Sequence, residues 1–371
     1  MPRRTATLLT SALLLITMFC VGALLNVPYA EMSPGPTVNT LGSHDGDPVL
    51  SVEQKPGRKG RPKEYDTSGH LNMTTVRVTG SEYRMTLFGA LSGWVRHDSL
   101  VVPHETLYPD DKSAKEVDQE NAEEFSASQE SAKAAALREL HIPFSTHVIV
   151  GSVEKGAPAH HRLHAGDVIT AVDGIPVSKA EGVGKVVTQH KPGEKVTFTV
   201  IPAAKAKAAQ KQGKKPPADD AKKVTVGTRK APDDGRAVVG IQPAVGHTFP
   251  FDIDIKLADI GGPSAGLMFA LGIVDKLTRT DLTGGKFVAG TGTIDDQGRV
   301  GEIGGIQMKT VGARNKGARY FLTPAGNCAA AAADKPDGLT LVKTSSIKDA
   351  LGSLKKIRTG RTDELTQCKA H

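Results

Sequence analysis

The stretch Ile260-Gly261-Gly262-Pro263-Ser264-Ala265-Gly266-Leu267-Met268-Phe269-Ala270-Leu271 decides how the C-terminal part of this chain is read. Before it, Phe251, Ile253, Ile255 and Leu257 alternate with polar residues, which predicts a half-buried strand. After Pro263 the apolar positions Leu267, Phe269, Ala270, Leu271 and Val274 follow a helical period. Ser264 therefore stands at a strand-to-helix junction, behind two glycines and a proline. Two roles are open to it. A serine there caps a helix with its oxygen. It can also be a nucleophile, with the backbone amides around Ser264 and Ala265 forming part of an oxyanion hole. The second role needs a base.

A base is available downstream. Phe287-Val288-Ala289-Gly290-Thr291-Gly292-Thr293-Ile294 reads as a strand, and Asp295-Asp296-Gln297-Gly298 as the turn of a hairpin. Gly304-Gly305 then ends a strand and opens a helix carrying Lys309. Lysine serves as a base only if its pKa falls from about 10.4 to roughly 7–8. Partial burial and a helix N-terminus both push in that direction. Thr291 could hydrogen-bond the neutral amine and orient it. The alternative is a surface lysine on an ordinary helix.

Gly262-Pro263-Ser264-Ala265-Gly266, with Thr291-Gly292-x-Ile294-x-x-x-Gly298-x-Val300-x-x-Ile303-Gly304-Gly305-Ile306-x-x-Lys309, is similar to the proteolytic domain of the Lon family of serine proteases. The resemblance implies that Ser264 is the nucleophile, Lys309 the general base and Thr291 the supporting threonine. Gly261 departs from the ATP-dependent members, which usually carry an acid there. Ile260 to Ser264 looks instead like the membrane-anchored PDZ–Lon branch, as do residues 101–109 and 128–132. The resemblance also implies a homo-oligomeric ring, commonly a hexamer. Neither Gly182-Val183-Gly184-Lys185 nor Gly284-Gly285-Lys286 is followed by the Ser or Thr of a phosphate-binding loop. No cofactor is expected. Ser152-x-x-Lys155, Ser345-x-x-Lys348 and Ser353-x-x-Lys356 match a penicillin-binding pattern whose companion motifs are missing.

Upstream, His147-Val148-Ile149-Val150, the run Gly166-Asp167-Val168-Ile169-Thr170-Ala171-Val172-Asp173-Gly174 and residues 192–200 follow one another in an order that resembles a PDZ domain of bacterial proteases. Its last hairpin is split by a Lys/Ala/Pro-rich insertion near 203–222, with Lys223-Val224-Thr225-Val226 as the return strand. PDZ domains take peptide C-termini by strand addition. The matching loop falls near His141-Ile142-Pro143-Phe144, making Ile142 and Phe144 the peptide-binding candidates. Pro143 lacks an N–H and the loop has no glycine, so a purely architectural module is the competing reading. His160, His161 and His164 share a helical face, but no cysteine lies nearby to complete a ligand set, and no metal is expected.

The 371 residues are 39% hydrophobic and carry a net charge of +7, much of it lysine in segment 205–223 with no aromatic interleaving. That is a solvated loop rather than a nucleic-acid footprint. Arg3 and Arg4 precede an uncharged apolar run, residues 5–30, long enough for a bilayer of about 30 Å. It predicts a single-pass anchor with residues 1–4 cytoplasmic and the body extracytoplasmic, and a cleaved signal peptide is the competitor. Cys328 and Cys368 could pair, though nothing in the sequence demands it.

The expected architecture is α+β. A flexible linker covers 31–63 and a strand and helical region 64–142, including a strand over 71–79 and a long helix over 113–140. The PDZ-like module covers 143–230, the Lon-type domain 233–358 and a polar tail 359–371. The expected function is an ATP-independent serine endopeptidase acting on extracytoplasmic or membrane-associated proteins. A PDZ binding scaffold with an inactive Lon-like domain is the alternative, and an acyltransferase or lipid hydrolase using the same dyad is a third.

Overall fold

The computed structural model describes residues 3–55, 62–109, 112–257 and 260–370. The ends of the expected cytoplasmic N-terminus and polar tail, and residues 56–61 of the expected linker, lie outside them. The chain forms two compact units, one of residues 1–51, 64–140 and 255–371, the other of 52–63 and 141–254.

The first unit opens with helix α1 (Arg3–Leu24), whose described side chains are almost all exposed. Strand β1 (Tyr29–Asn39) follows, then β2 (His70–Val78), helix α2 (Leu87–Val95), β3 (Leu100–Pro103) and helix α3 (Ala114–Glu139). Two expectations change here. The apolar helix stops at Leu24, and Tyr29 and Ala30 already belong to β1. The segment expected to be a linker is largely strand, with Met32, Val38, Val49, Leu50 and Val52 buried. Pro and Gly suggested a tether, but Pro34-Gly35-Pro36 sits at a register shift between β1 and β2, where a ladder donor is not required.

In α3 a capping box closes the N-terminus, with Ser113 and Glu116 satisfying each other's backbone amides. Its second half buries Ala132, Ala134, Ala135, Ala136 and Leu137. Small side chains let this helix pack closely on its neighbour.

The second unit holds β4 (Ser145–Val153), β5 (Val168–Val172), helix α4 (Ala180–Val187), β6 (Lys195–Ile201), helix α5 (Ala203–Lys211), β7 (Lys222–Gly227) and β8 (Ile241–Thr248). The sheet order is β7-β6-β5-β4-β8. Val148, Val150, Leu163, Ile169, Val183, Val196, Phe198 and Val226 form its core. Three expectations change here. The expected insertion contains α5, which buries Ala206 against Val168 and Ile201. The module does not end at 230, and the following domain does not begin at 233. Residues 241–248 instead pair antiparallel with β4 from Ile241↔Val153 to Thr248↔Ser145.

The first unit resumes with α6 (Gly266–Leu277), β9 (Phe287–Gly290), α7 (Ile306–Asn315), β10 (Tyr320–Pro324), β11 (Thr340–Thr344) and α8 (Ile347–Arg358). Its sheet runs β11-β10-β9-β2-β1-β3. The pairs β11/β10, β10/β9 and β9/β2 are parallel, while β1 is antiparallel to both neighbours. Every residue of α6 from Gly266 to Asp275 is buried, so this is a core helix rather than a surface one. Each large side chain there contributes roughly 1.5–3 kcal/mol. The expected polar tail is docked: Cys368 is disulfide-bonded to Cys328, and Leu365 is buried.

Candidate active site

Ser264 lies two residues before α6, and Ala265 holds the cap position without a side-chain cap bond. The capping role considered for Ser264 is therefore not the one observed. Its hydroxyl is turned to Lys309, with Oγ and Nζ 2.7 Å apart. Nothing described in the chain accepts a hydrogen bond from the amides of Ser264 or Ala265.

Two sets of contacts hold the serine loop. Thr291 and Gly292 follow β9 directly. Gly292 N donates to Ser264 O at 2.8 Å, Leu267 N to Gly292 O at 3.0 Å, and Thr291 Oγ1 to Ser264 O at 2.9 Å. From the other side, Ser128 Oγ donates to Pro263 O at 2.9 Å, and Gly262 N donates to Asn121 O at 2.9 Å. Helix α3 thus clamps the loop, a contribution that its sequence did not disclose. It also bears on the acid missing at Gly261: a Cβ there would meet Asn121 Cβ at 3.1 Å, so α3 occupies the space a side chain would need.

Lys309 sits in the first turns of α7 and is 2% exposed. Gly305 holds the cap position before that helix, in the left-handed region at φ +65, where a Cβ would also come within 2.9 Å of both Met32 Cε and Val76 Cγ1. Only glycine suits such a close approach at positive φ. Burial moves the Lys309 amine down from 10.5 to about 7, because the charged form loses its water. Nζ also reaches Thr291 Oγ1 at 3.2 Å. Thr291, fully buried, can accept from Nζ while donating to the Ser264 carbonyl. This leaves the lone pair of a neutral amine for the Ser264 hydroxyl.

The dyad lines a cavity of ≈ 400 Å³ with Met73, Val76, Arg77, Ile260 and Ala265. Among the described residues, no cluster of His, Cys, Asp and Glu could hold a metal ion.

Residues 258–352 match the family model of the Lon protease (S16) C-terminal proteolytic domain, and residues 118–210 match the PDZ domain model. The chain carries a PDZ domain and a Lon-type proteolytic domain. The PDZ match begins inside α3 and stops before β7 and β8. Similar solved structures include the PDZ domains of SdrC-like proteins from two Listeria species. The Listeria innocua domain is 24% identical, covers 28% of this chain and 98% of its own, and has a TM-score of 0.21. The Listeria monocytogenes domain is 24% identical, covers 26% and 87%, and has a TM-score of 0.20.

Within the PDZ unit a groove of ≈ 1060 Å³ runs between α4 and the start of β8, lined by Val153, Val183, Val187, Val239 and Ile241 among others. Strand β8 lies at the edge of its sheet. Ahead of it, Val239 O accepts from Ala159 N and Gly240 O from Glu154 N, while the amides of Val239 and Gly240 have no acceptor among the described residues. Ile142 and Phe144 are not in this groove. Phe144 packs on His247 and Phe249 at the far end of the β4–β8 ladder, and β4 is paired on both sides. The sequence there reads apolar-Gly-apolar at Val239-Gly240-Ile241, running into β8.

Proposed function

We propose that this chain is an ATP-independent serine endopeptidase whose PDZ groove captures peptide segments of its substrates. The observation that carries the reading is the 2.7 Å approach of Lys309 Nζ to Ser264 Oγ in a site where burial keeps the amine near neutrality. Lys309 takes the Ser264 proton as Oγ attacks the peptide carbonyl carbon. The amides of Ser264 and Ala265 stabilise the resulting oxyanion. Lys309 then returns the proton to the leaving amine as the C–N bond breaks. Water releases the acyl group from Oγ by the same exchange, with Lys309 again as base.

In the groove, the peptide backbone adds a strand along the start of β8, the edge strand of its sheet, and the amides of Val239 and Gly240 receive a terminal carboxylate. The span Thr7–Leu24, with mean hydropathy 2.2, supports a membrane anchor, though a signal sequence has the same character. The Cys328–Cys368 disulfide supports an extracytoplasmic body. Ring assembly follows from the Lon resemblance and is checked by light scattering of the detergent-solubilised chain.

The test is cleavage of casein and a peptide library by the full chain without ATP, alongside Ser264→Ala and Lys309→Ala. Full activity in both variants sinks the dyad. A wild type that is inert on every substrate yet binds peptides favours the scaffold. Peptides binding equally well as free acids and as C-terminal amides would remove the carboxylate from the groove reading.

A further inference from the structure

Helix α2 is apolar, exposed and fastened to the end of α1. Thr86 caps it, with Oγ1 accepting from Gly89 N at 3.1 Å. On its inner side a Cβ at Gly93 would come within 2.5 Å of Val101 Cγ2, so α2 lies close against β3. Its outer side leaves Leu91 43%, Trp94 55% and Val95 82% exposed. These residues sit on one short helix rather than scattered singly over the surface, and such a patch marks a contact.

The position of α2 along α1 is fixed by backbone. Val27 N donates to Met85 O and Leu87 N to Leu25 O, both at 2.8 Å. The Phe19 and Phe88 rings lie 4.8 Å apart, and Gly22 lets Phe88 approach, since a Cβ there would meet Phe88 Cε2 at 2.8 Å. Phe19 precedes Leu24 by about 7 Å along the helix axis at 1.5 Å per residue. Phe88 therefore reaches the level of the last turn and a half of α1. Exposed Arg84 precedes α2, and Arg96 and His97 follow it.

We propose that α2 is a second membrane contact, sinking Leu91, Trp94 and Val95 into the headgroup–acyl boundary of the leaflet in which α1 ends. Arg84 and His97 face anionic headgroups. The inference rests on reading α1 as a retained anchor. A bilayer is the occupant because the exposed face of α2 continues the exposed apolar surface of α1, and whatever covers one meets the other. Helices lying in this plane typically bury their apolar side 5–10 Å deep, and tryptophan is enriched at that level.

Trp94 is the only tryptophan in the chain, so the native protein reports on itself. The full chain is reconstituted into phosphatidylcholine–phosphatidylglycerol vesicles, with and without lipids brominated near the top of the acyl chain. Expected are a blue-shifted emission, quenching by brominated lipid of about twofold or more, and weak quenching by aqueous iodide. Leu91→Asp with Val95→Asp should reverse that pattern. Free access of iodide to Trp94, or shielding from iodide without quenching by lipid, overturns the proposal. The second outcome would place α2 at a protein interface. Intact mass of chain recovered from cell membranes separates the two readings. Loss of the N-terminal helix removes the anchor, whereas an intact N-terminus with a water-exposed Trp94 removes only the α2 contact.

Discussion

Thr291 Oγ1 lies 2.9 Å from the carbonyl oxygen of Ser264 and 3.2 Å from Nζ of Lys309, so one hydroxyl ties the serine backbone to the amine. Removing it should loosen both groups together. Thr291→Ala is expected to lower kcat by about 10- to 100-fold, the worth of one such hydrogen bond. Thr291→Ser keeps the hydroxyl and should recover most of the rate. Steady-state kinetics on a cleaved peptide decide it. Equal losses in the two variants would mean that the methyl group matters and the hydroxyl does not.

The Lys309 amine, held at about 7, fixes the direction of the pH profile. Below pH 7 it is protonated and cannot accept the serine proton. Hydrolysis should therefore rise with pH and level off above roughly 8. Stability should also rise from about pH 7 toward 10.5, because the unfolded chain binds the extra proton over that window. Lys309→Met should abolish cleavage yet raise the melting temperature at pH 6, with the gain shrinking by pH 10. A melting difference independent of pH would show that the amine is not desolvated.

Asp275, buried in α6, behaves in the opposite sense. Desolvation raises its carboxyl to about 6, although Leu282 N donates to Oδ1 at 2.7 Å. Its Oδ2 has no hydrogen-bond partner among the described residues. The folded state binds the extra proton between about pH 3.8 and 6, so this group's contribution to stability falls as pH rises through that window. Asp275→Asn should stabilise by about 1 kcal/mol at pH 8 and by less at pH 5. Denaturant titrations at the two pH values measure this. A variant destabilised equally at both would mean that the carboxylate is accommodated.

The disulfide joins residues 40 apart in sequence. Cys368→Ser should cost about 3–4 kcal/mol under oxidising conditions and little in reductant, since the bridge acts mainly on the unfolded chain. Thermal melts with and without reductant would reveal it. Equal melting temperatures for both proteins in oxidant would show the tail to be energetically idle.

Gly261→Asp would place an acid in the serine loop, at a point where Asn121 stands 3.1 Å from a new Cβ. It should lower activity, and overpacking should cost about 1–3 kcal/mol. Asn121→Gly beside it should relieve part of both. A rise in activity from Gly261→Asp alone would show that α3 yields readily there.

Much of this molecule could be read in sequence because its signals are local. Ser264, Thr291 and Lys309 each follow glycine-rich junctions at fixed spacing, and the run from Gly166 to Gly174 marks the PDZ strand. The alanine stripe and the lack of Gly or Pro over residues 113–140 foretold α3. Hydrophobic period and turn residues carry such information within one element. What failed was long-range. Residues 31–39 looked like part of a tether because Pro34 and Pro36 weigh heavily in composition, yet the strand tolerates them at a bulge. Residues 241–248 looked like the start of a new domain, because nothing in a strand names its partner across about 90 residues. The docking of Cys368 and the clamp of Asn121 and Ser128 on the serine loop likewise join segments far apart in the chain. The sequence by itself determined which residues could do chemistry and which elements carry them. Only the tertiary structure decided that Lys309 is dry enough to titrate near 7 and close enough to meet Ser264. Burial and distance belong to the packed whole, and no residue encodes them alone.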